Sequence, residues 1–335
     1  MTGLTVAVLL AFAFAVTNGL HDASNAIATL VATRAASPRR AIVMASICNM
    51  IGPLLVGAAV ADTIGGIVTI GTSAAVAVIG SGLAAAVAWN LLTWRLGLPS
   101  SSGHALVGGL VGAAVVEAGV HAVDWGGFDG WHPVGVVGTL AALAISPVLG
   151  GAAAWLVIRG IRRLLRRGTT RWHAPVHSGE WAMSAALAFS HGANDAQKSI
   201  GVIAALLLAD GRTDALTSPL WATLACSVAL TAGTALGGWS IIRTVGRGIY
   251  RIQPVDGLAS QTSSAVVILG ASLVGAPVST TQVVASSVVG VGAGRRRWHH
   301  VRWATVRQMG LAWVITIPVT AALGGCAIGL VSWVS

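Results

Sequence analysis

Charged residues are scarce in this chain: Asp, Glu, Lys and Arg make up 9% of its 335 residues, whereas 55% are hydrophobic. Soluble globular domains carry about 25% charged residues, so the composition excludes most soluble classes of protein. The mean hydropathy of +0.80 supports the same conclusion. The sequence therefore predicts a polytopic membrane protein.

Cysteine is also scarce, and Cys48, Cys226 and Cys326 all lie in apolar segments without CxxC or metal-ligand spacing. We interpret them as small buried packing residues, with no disulfide framework. The sequence has no HExxH motif or comparable set of His and carboxylate ligands, which argues against an intramembrane metalloenzyme. We therefore predict a protein that is not an enzyme and has no catalytic residues, resident metal or cofactor.

The net charge of +10 is almost entirely arginine, located in short joints between apolar runs. This distribution favours a positive-inside topology over nucleic-acid binding. Arg-rich joints alternate along the chain with acidic or neutral ones, such as the joints at Asp62 and at Asp210 and Asp214. The alternation predicts that the Arg-rich joints are cytoplasmic and that both termini lie outside.

Apolar runs of about 20 residues predict ten membrane spans. The run from Leu4 to Val16 has no basic segment before it, so we interpret it as a retained first span and not a signal peptide. The ten spans lie near residues 3–33, 41–61, 67–94, 99–117, 133–158, 181–209, 217–242, 257–275, 277–293 and 308–332.

Two polar motifs each occur twice in this apolar chain, at nearly the same offset. An aspartate motif spans residues 19–25 and 192–198, and a proline-led hydroxyl motif spans 99–104 and 277–282. With five spans in each half, the second half crosses the membrane in the opposite sense to the first. The sequence predicts an all-α protein of two inverted repeats, 1–158 and 179–335, joined by a cytoplasmic Arg-rich linker at 159–178, with broken helices or helical hairpins near the midplane.

The two aspartates, Asp22 and Asp195, are candidate functional residues because an ionised side chain inside a bilayer costs several kcal/mol unless a cation, proton or donor compensates it. A polar contact that only joins two helices is the alternative. Their neighbours Asn25 and Asn194 are candidate binding residues. Because Gly, Ala, Ser and Asn flank both aspartates, we expect the helices either to break at these motifs or to let another backbone approach closely.

The proline-led motifs predict an anion site. Proline favours the first helical turn, so Pro99 and Pro277 predict helix starts whose free N–H groups point at the ligand. The hydroxyl groups that follow would complete two half-shells for a tetrahedral oxyanion, although helix caps are the alternative for each cluster. The candidate substrate-binding hydroxyls are Ser101, Ser102, Ser279, Thr280 and Thr281.

Lys198 is the only lysine, and it lies three residues after Asp195. At that spacing the two side chains share a helix face and can compensate each other's charge. Lys198 is therefore either half of a structural ion pair or a fixed cation that replaces a bound metal ion and faces the anion. His21 and His191 flank the aspartates and are candidate proton carriers for coupling, because histidine titrates near neutral pH.

These duplicated motifs resemble those of the inorganic phosphate transporter (PiT) family, specifically its short bacterial low-affinity type, over essentially the whole chain. The resemblance implies a homodimer in the bacterial plasma membrane that binds inorganic phosphate between the repeats and takes it up by cation symport and alternating access. Lys198 stands where sodium-coupled members carry a second Asn, so the pattern is similar to members driven by protons, which carry phosphate with a divalent metal. Sulfate uptake by a relative of the same family, or an anion channel, is the alternative.

Overall fold

The structure is a computed structural model, which describes residues 2–69, 72–130, 132–165, 172–237, 249, 252–295 and 298–334. Within these residues the chain forms helices almost throughout, since a helix satisfies its own backbone hydrogen bonds in an apolar surrounding. The eleven described helices are α1 (Thr2–Ala32), α2 (Pro38–Leu55), α3 (Ala59–Gly65), α4 (Thr72–Leu96), α5 (Ser102–Ala118), α6 (Gly135–Leu164), α7 (His173–Ala209), α8 (Leu220–Leu236), α9 (Pro254–Leu273), α10 (Thr280–Gly294) and α11 (Trp303–Val334).

A small antiparallel hairpin lies between α5 and α6. Its strands are β1 (Gly127–Asp129) and β2 (His132–Val134), with Phe128 opposite Pro133. Short 3-10 turns lie at Val120–Ala122 and Trp298–His300. The hairpin therefore belongs to a connection between helices and not to the helical core.

The helices of the two halves pack against each other in matching pairs. Helix α1 packs on α8 and α4, and α7 packs on α2 and α9. In the same way α5 packs on α11, while α10 packs on α6. Each half thus completes the other, as expected for two repeats that fold as one body.

The glycine that opens each aspartate motif permits one of these crossings. A Cβ added to Gly19 on α1 would lie 2.1 Å from the carbonyl oxygen of Leu230 on α8. A Cβ on Gly192 of α7 would lie 2.3 Å from the carbonyl oxygen of Asn49 on α2. Small residues allow this close backbone approach in membrane proteins, and the result is that both aspartates are held deep between helices.

The helices do not break at the aspartate motifs. Helices α1 and α7 run without interruption through Asp22 and Asp195. Of the two alternatives expected for these motifs, the structure therefore has the close backbone approach and not the break, since residues of weak helix propensity stay helical when they are enclosed by tertiary packing. A break does occur after α2, where α3 turns away by 79°. The side-chain oxygen Oε1 of Gln197 accepts from the N–H of Val60 at 2.9 Å and holds α3 in this orientation.

The two proline-led motifs lie just before α5 and α10. Pro99 and Pro277 precede the helices by three residues and do not occupy the first turn, because Ser101 and Ser279 are the N-cap residues. Helices of 17 and 15 residues are about 26 and 23 Å long, which is shorter than the hydrocarbon core of about 30 Å. Residues 99–117 and 277–293 are therefore hairpin arms starting inside the protein, and the expectation of two simple spans here is corrected.

By length and hydropathy, four described helices can each cross a membrane, or five spans if α2 and α3 count as one. Helix α7 is longer than each of these helices, but it is less apolar because it contains the charged residues Glu180, Asp195 and Lys198. The chain is thus a multi-pass membrane protein whose polar helices are surrounded by apolar ones. The boundaries of the repeats and of the linker stay predictions; α6 continues to Leu164 and α7 begins at His173, while residues 166–171 of the linker lie outside the described residues.

Candidate functional site

The two aspartates meet at the centre of the molecule. Asp22 lies on α1 and Asp195 on α7, and both side chains are buried. One ligand atom each from Asp22, Asp195 and His191 lie within 4.8 Å of one another. The inverted repeat therefore produces one shared site and not two separate ones.

Asp22 accepts hydrogen bonds from both hydroxyl motifs. Its Oδ1 atom accepts from the hydroxyl of Thr281 at 2.6 Å and from the amide of Asn25 at 3.1 Å. Its Oδ2 atom accepts from the hydroxyl of Ser102 at 3.2 Å. Ser102 begins α5 and Thr281 lies in the first turn of α10, so Asp22 joins elements of both repeats.

Asp195 is held by a cation and a second threonine. Its Oδ1 atom forms an ion pair with the ammonium of Lys198, as their three-residue spacing predicts. Its Oδ2 atom accepts from the hydroxyl of Thr280 at 3.1 Å and lies 2.9 Å from Nε2 of His191. Adjacent threonines on α10 thus donate to the two different aspartates.

The starts of α5 and α10 both face the carboxylates. Ser101 accepts from the backbone N–H of His104 at 3.3 Å, and Ser279 accepts from that of Gln282 at 3.4 Å. These two hydroxyls therefore act as N-caps, while Ser102, Thr280 and Thr281 point at the aspartates. Two positive helix ends converge on the pair of carboxylates.

The hydroxyl groups of the site already donate hydrogen bonds to other side chains in this structure. Thr280 and Thr281 each donate to a carboxylate, while Ser102 shares its proton between Asp22 at 3.2 Å and the side-chain oxygen of Asn18 at 2.7 Å; a hydroxyl has only one proton to donate. An incoming anion can accept from them only after a carboxylate has released them. Protonation of a carboxylate achieves this, because the protonated group accepts fewer hydrogen bonds and carries a hydroxyl that can itself donate one.

Lys198 lies between the two repeats. Besides Asp195, its ammonium donates to the carbonyl oxygen of Val278 at 3.0 Å. A Cβ added to Gly103 at the start of α5 would lie 3.5 Å from the Lys198 nitrogen. The ammonium therefore faces both helix starts, and Gly103, which interrupts the hydroxyl motif, gives it room.

His21 and His191 both contact an aspartate, but their other contacts differ. His21 places Nδ1 3.2 Å from Asp22 and Nε2 3.2 Å from the carbonyl oxygen of Leu98. His191 places Nδ1 3.1 Å from the side-chain oxygen of Asn49, whose amide donates to Thr234 and so fixes which atom faces the ring. Each histidine therefore lies between an aspartate and an oxygen atom from another part of the chain.

The amide nitrogen of Asn194 contacts a neighbouring helix and not an aspartate. Its amide donates to the hydroxyl of Ser272 at 3.0 Å and to the carbonyl oxygen of Ala276 at 3.3 Å. It therefore fastens α9 beside the site, whereas Asn25 contacts Asp22 directly.

Several polar residues of the site are absent from the sequence-based set. Asn18 accepts from Ser102 at 2.7 Å, Asn49 orients His191, and Gln197 holds α3. All three are buried amides within apolar helices. The rule that identified the aspartates, that a polar residue inside a membrane span needs a partner, could have identified them too.

A cation could be held by Asp22, His191 and Asp195, since their ligand atoms converge and a carboxylate and imidazole set suits a divalent metal. The ammonium of Lys198 already pairs with one of these ligands. A cation in this position would therefore share Asp195 with a fixed positive charge.

Comparison with known proteins identifies relatives that are described as phosphate transporters. A model described as the phosphate transporter family matches the chain twice, over residues 18–178 and 169–324. The chain is 40% identical over 333 residues to a "Probable low-affinity inorganic phosphate transporter" of Mycobacterium bovis, covering 99% of this chain and 78% of the relative. A protein of the same description from Bacillus subtilis is 38% identical, with coverage of 96% and 94%.

A solved structure described as "The sodium-dependent phosphate transporter" aligns over 100% of both chains with a TM-score of 0.87. Its sequence is 24% identical, so this likeness shows the fold. The two matches of the family model agree with the reciprocal packing of the two halves.

Proposed function

This chain belongs to the phosphate transporter family, and from this premise we propose that it takes up inorganic phosphate by proton symport through alternating access. Its relatives are transporters and not enzymes. Phosphate is the substrate of the family, and the curated relatives are named for inorganic phosphate. We further propose that the protein lies in the plasma membrane with both termini outside, as a homodimer.

The ion pair between Asp195 and Lys198 is the observation that carries the proposal of proton coupling. Both side chains are fully enclosed, with 0% and 1% exposure. A coupling sodium ion would need a carboxylate with a free coordination position, whereas here the ammonium of Lys198 already neutralises Asp195. The remaining carboxylate, Asp22, contacts only neutral donors and His21 among its hydrogen-bond partners, and is the group we assign to the coupling proton.

The hydrogen bonds of the site support an ordered cycle. In the proton-free state, Asp22 holds the hydroxyls of Ser102 and Thr281 and repels an anion. A proton on Asp22, delivered through His21 or His191, releases these donors to the substrate. Phosphate then binds between the starts of α5 and α10, facing Lys198, and the two repeats exchange their packing to release it on the other side.

A divalent metal is proposed as cargo together with phosphate. Asp22 and His191 supply a carboxylate and an imidazole next to the phosphate position, whereas Asp195, the third member of this cluster, is already paired with Lys198. A metal carried here would offset part of the phosphate charge in the apolar interior. The metal is thus a part of the substrate and not a resident cofactor.

Uptake into proteoliposomes tests the function directly. Labelled phosphate and labelled sulfate are offered separately, each with an imposed proton gradient or an imposed sodium gradient. We expect phosphate uptake that follows the proton gradient and is unchanged by sodium. Sulfate uptake that exceeds phosphate uptake would instead assign the chain to sulfate, and uptake that follows sodium alone would contradict proton coupling.

Removal of single hydroxyl donors should weaken the apparent affinity for phosphate by a moderate amount. Ser102→Ala, Thr280→Ala and Thr281→Ala each remove one neutral hydrogen bond to the substrate, a loss of about 0.5–1.5 kcal/mol. The half-saturating phosphate concentration should rise about threefold to tenfold for each variant. Ser286→Ala is the matched control, because its hydroxyl bonds only to Val283 in its own helix. An unchanged half-saturation in all three variants would remove these hydroxyls from the site.

A further inference from the structure

A second polar cavity lies beside the central site, at the break between α2 and α3. It has a volume of about 310 Å³ and reaches from this break to Gln197 on α7 and to the start of α8. On the proposed topology this end of the molecule faces outside. Gln197 lines the cavity and is the residue immediately before Lys198 on α7.

Two of the residues that line this cavity, Gln197 and Ser218, carry a buried hydrogen-bond donor with no partner among the described residues. Gln197 is 1% exposed, and its amide nitrogen Nε2 has no partner, although its Oε1 atom is bound to α3. The hydroxyl of Ser218 lines the cavity and has no partner either. A buried donor without a partner costs about 1–3 kcal/mol, so these two atoms indicate a missing acceptor.

The start of α8 contributes further donors. Its N-cap is Pro219, whose side chain cannot accept a hydrogen bond, and the helix has no side-chain cap. The backbone N–H groups of Leu220 and Trp221 precede the first helical hydrogen bonds to Pro219, and Leu220 lines the cavity. The positive end of a 17-residue helix therefore points at the same space as Gln197 and Ser218.

The chemistry of the lining favours an anion. Among the described residues that line the cavity, none has a charged side chain, so no carboxylate lies within it to repel one. The nearest acidic residues along the chain, Asp62 and Asp214, are exposed to solvent. Repulsion from such exposed charges is screened over about 8 Å at physiological ionic strength.

We infer that this cavity is an entry subsite for a tetrahedral oxyanion, inorganic phosphate, which Gln197, Ser218 and the start of α8 hold before it passes to the central site. The inference rests on the proposed function, because it takes the substrate from there. Neutral donors and a helix start bind phosphate weakly enough for it to move on. The subsite would raise the local phosphate concentration next to Lys198.

Uptake kinetics test the subsite. Ser218→Ala removes one donor from a residue that has no other partner, and we expect the half-saturating phosphate concentration to rise about threefold with an unchanged maximal rate. Gln197→Glu keeps an oxygen for α3 and replaces the free donor by a second oxygen, and we expect a rise of about tenfold or more. Thr213→Ala is the control, since its hydroxyl lies in the same connection, also lacks a partner and does not line the cavity.

Binding stoichiometry separates this inference from the proposed function. Equilibrium dialysis of the full chain with labelled phosphate should give two sites of different affinity, and Ser218→Trp, which fills the cavity, should give one. A wild-type protein that takes up phosphate but binds a single phosphate, or wild-type half-saturation in both Ser218→Ala and Gln197→Glu, would overturn the subsite alone. A wild-type protein that takes up no phosphate would overturn the proposed function.

Discussion

Asp22→Asn is expected to reduce proton-driven phosphate uptake to the level of empty liposomes while phosphate binding persists. Asparagine is neutral and offers one acceptor and one donor, so it imitates the protonated aspartate. In this variant the hydroxyl that faces the amide nitrogen, either that of Ser102 or that of Thr281, has lost its carboxylate acceptor permanently, and the substrate can bind without a proton. Binding and transport are thereby separated, which uptake assays and equilibrium dialysis on the same preparation measure.

The pH dependence of phosphate binding provides the matched control. In the wild-type protein the affinity should rise as the pH falls, because a proton on Asp22 frees the donors. Phosphate and the other ionisable side chains of the site are the same in both proteins, so only the contribution of Asp22 differs. The dependence should therefore be weaker in Asp22→Asn, and an equally steep dependence, or normal uptake by this variant, would exclude Asp22 as the coupling group.

Asp195→Asn should also abolish gradient-driven uptake, but with a cost in stability. It leaves the buried ammonium of Lys198 with the Val278 carbonyl as its remaining hydrogen-bond partner. Removal of one partner from a buried ion pair destabilises a protein by about 3–5 kcal/mol. A lower melting temperature than that of Asp22→Asn, with both variants still inserted, is the expected result; normal uptake by Asp195→Asn would contradict its role.

The sequence was sufficient for the parts of the site that depend on composition and spacing. An aspartate in an apolar span needs compensation wherever the helix packs, so Asp22 and Asp195 could be identified without a structure. The pairing of Asp195 with Lys198 follows from helical periodicity alone. The duplicated motifs predicted two repeats, and the two matches of the family model support this architecture. The count of five simple spans in each half is not reproduced, because residues 99–117 and 277–293 form helices of 17 and 15 residues.

Side-chain direction and helix breaks could not be predicted in the same way. Asn25 lies three residues after Asp22 and contacts it, whereas Asn194 lies one residue before Asp195 and fastens α9; the partner that Asn194 finds on α9 depends on packing between helices that are distant in sequence. Weak helix propensity suggested breaks at the aspartates, but packing on α2 and α8 keeps those helices intact. The real bend after α2 depends on Gln197, which is distant in sequence, and local patterns contain no information on such a contact.

Lys198→Met is expected to abolish proton-driven uptake and to lower stability, because Asp195 then becomes a buried charge without its cation. The loss is about 3–5 kcal/mol in unfolding free energy, as for other buried pairs, and a thermal melt measures it.

Lys198→Asn tests whether the ammonium occupies the place of a coupling ion. Asparagine recreates the residue found at the matching position of the first repeat, Asn25, and leaves space beside Asp195 together with an oxygen ligand. We expect this variant to be inactive in a proton gradient alone and to regain part of its uptake at high sodium, since a sodium ion can then neutralise Asp195. Lys198→Met offers the same space without the ligand and should show no such rescue, which makes it the control for a nonspecific effect of salt. Full activity in Lys198→Met, or sodium-dependent uptake by the unaltered protein, would show that Lys198 is only a structural partner and that the coupling ion binds elsewhere.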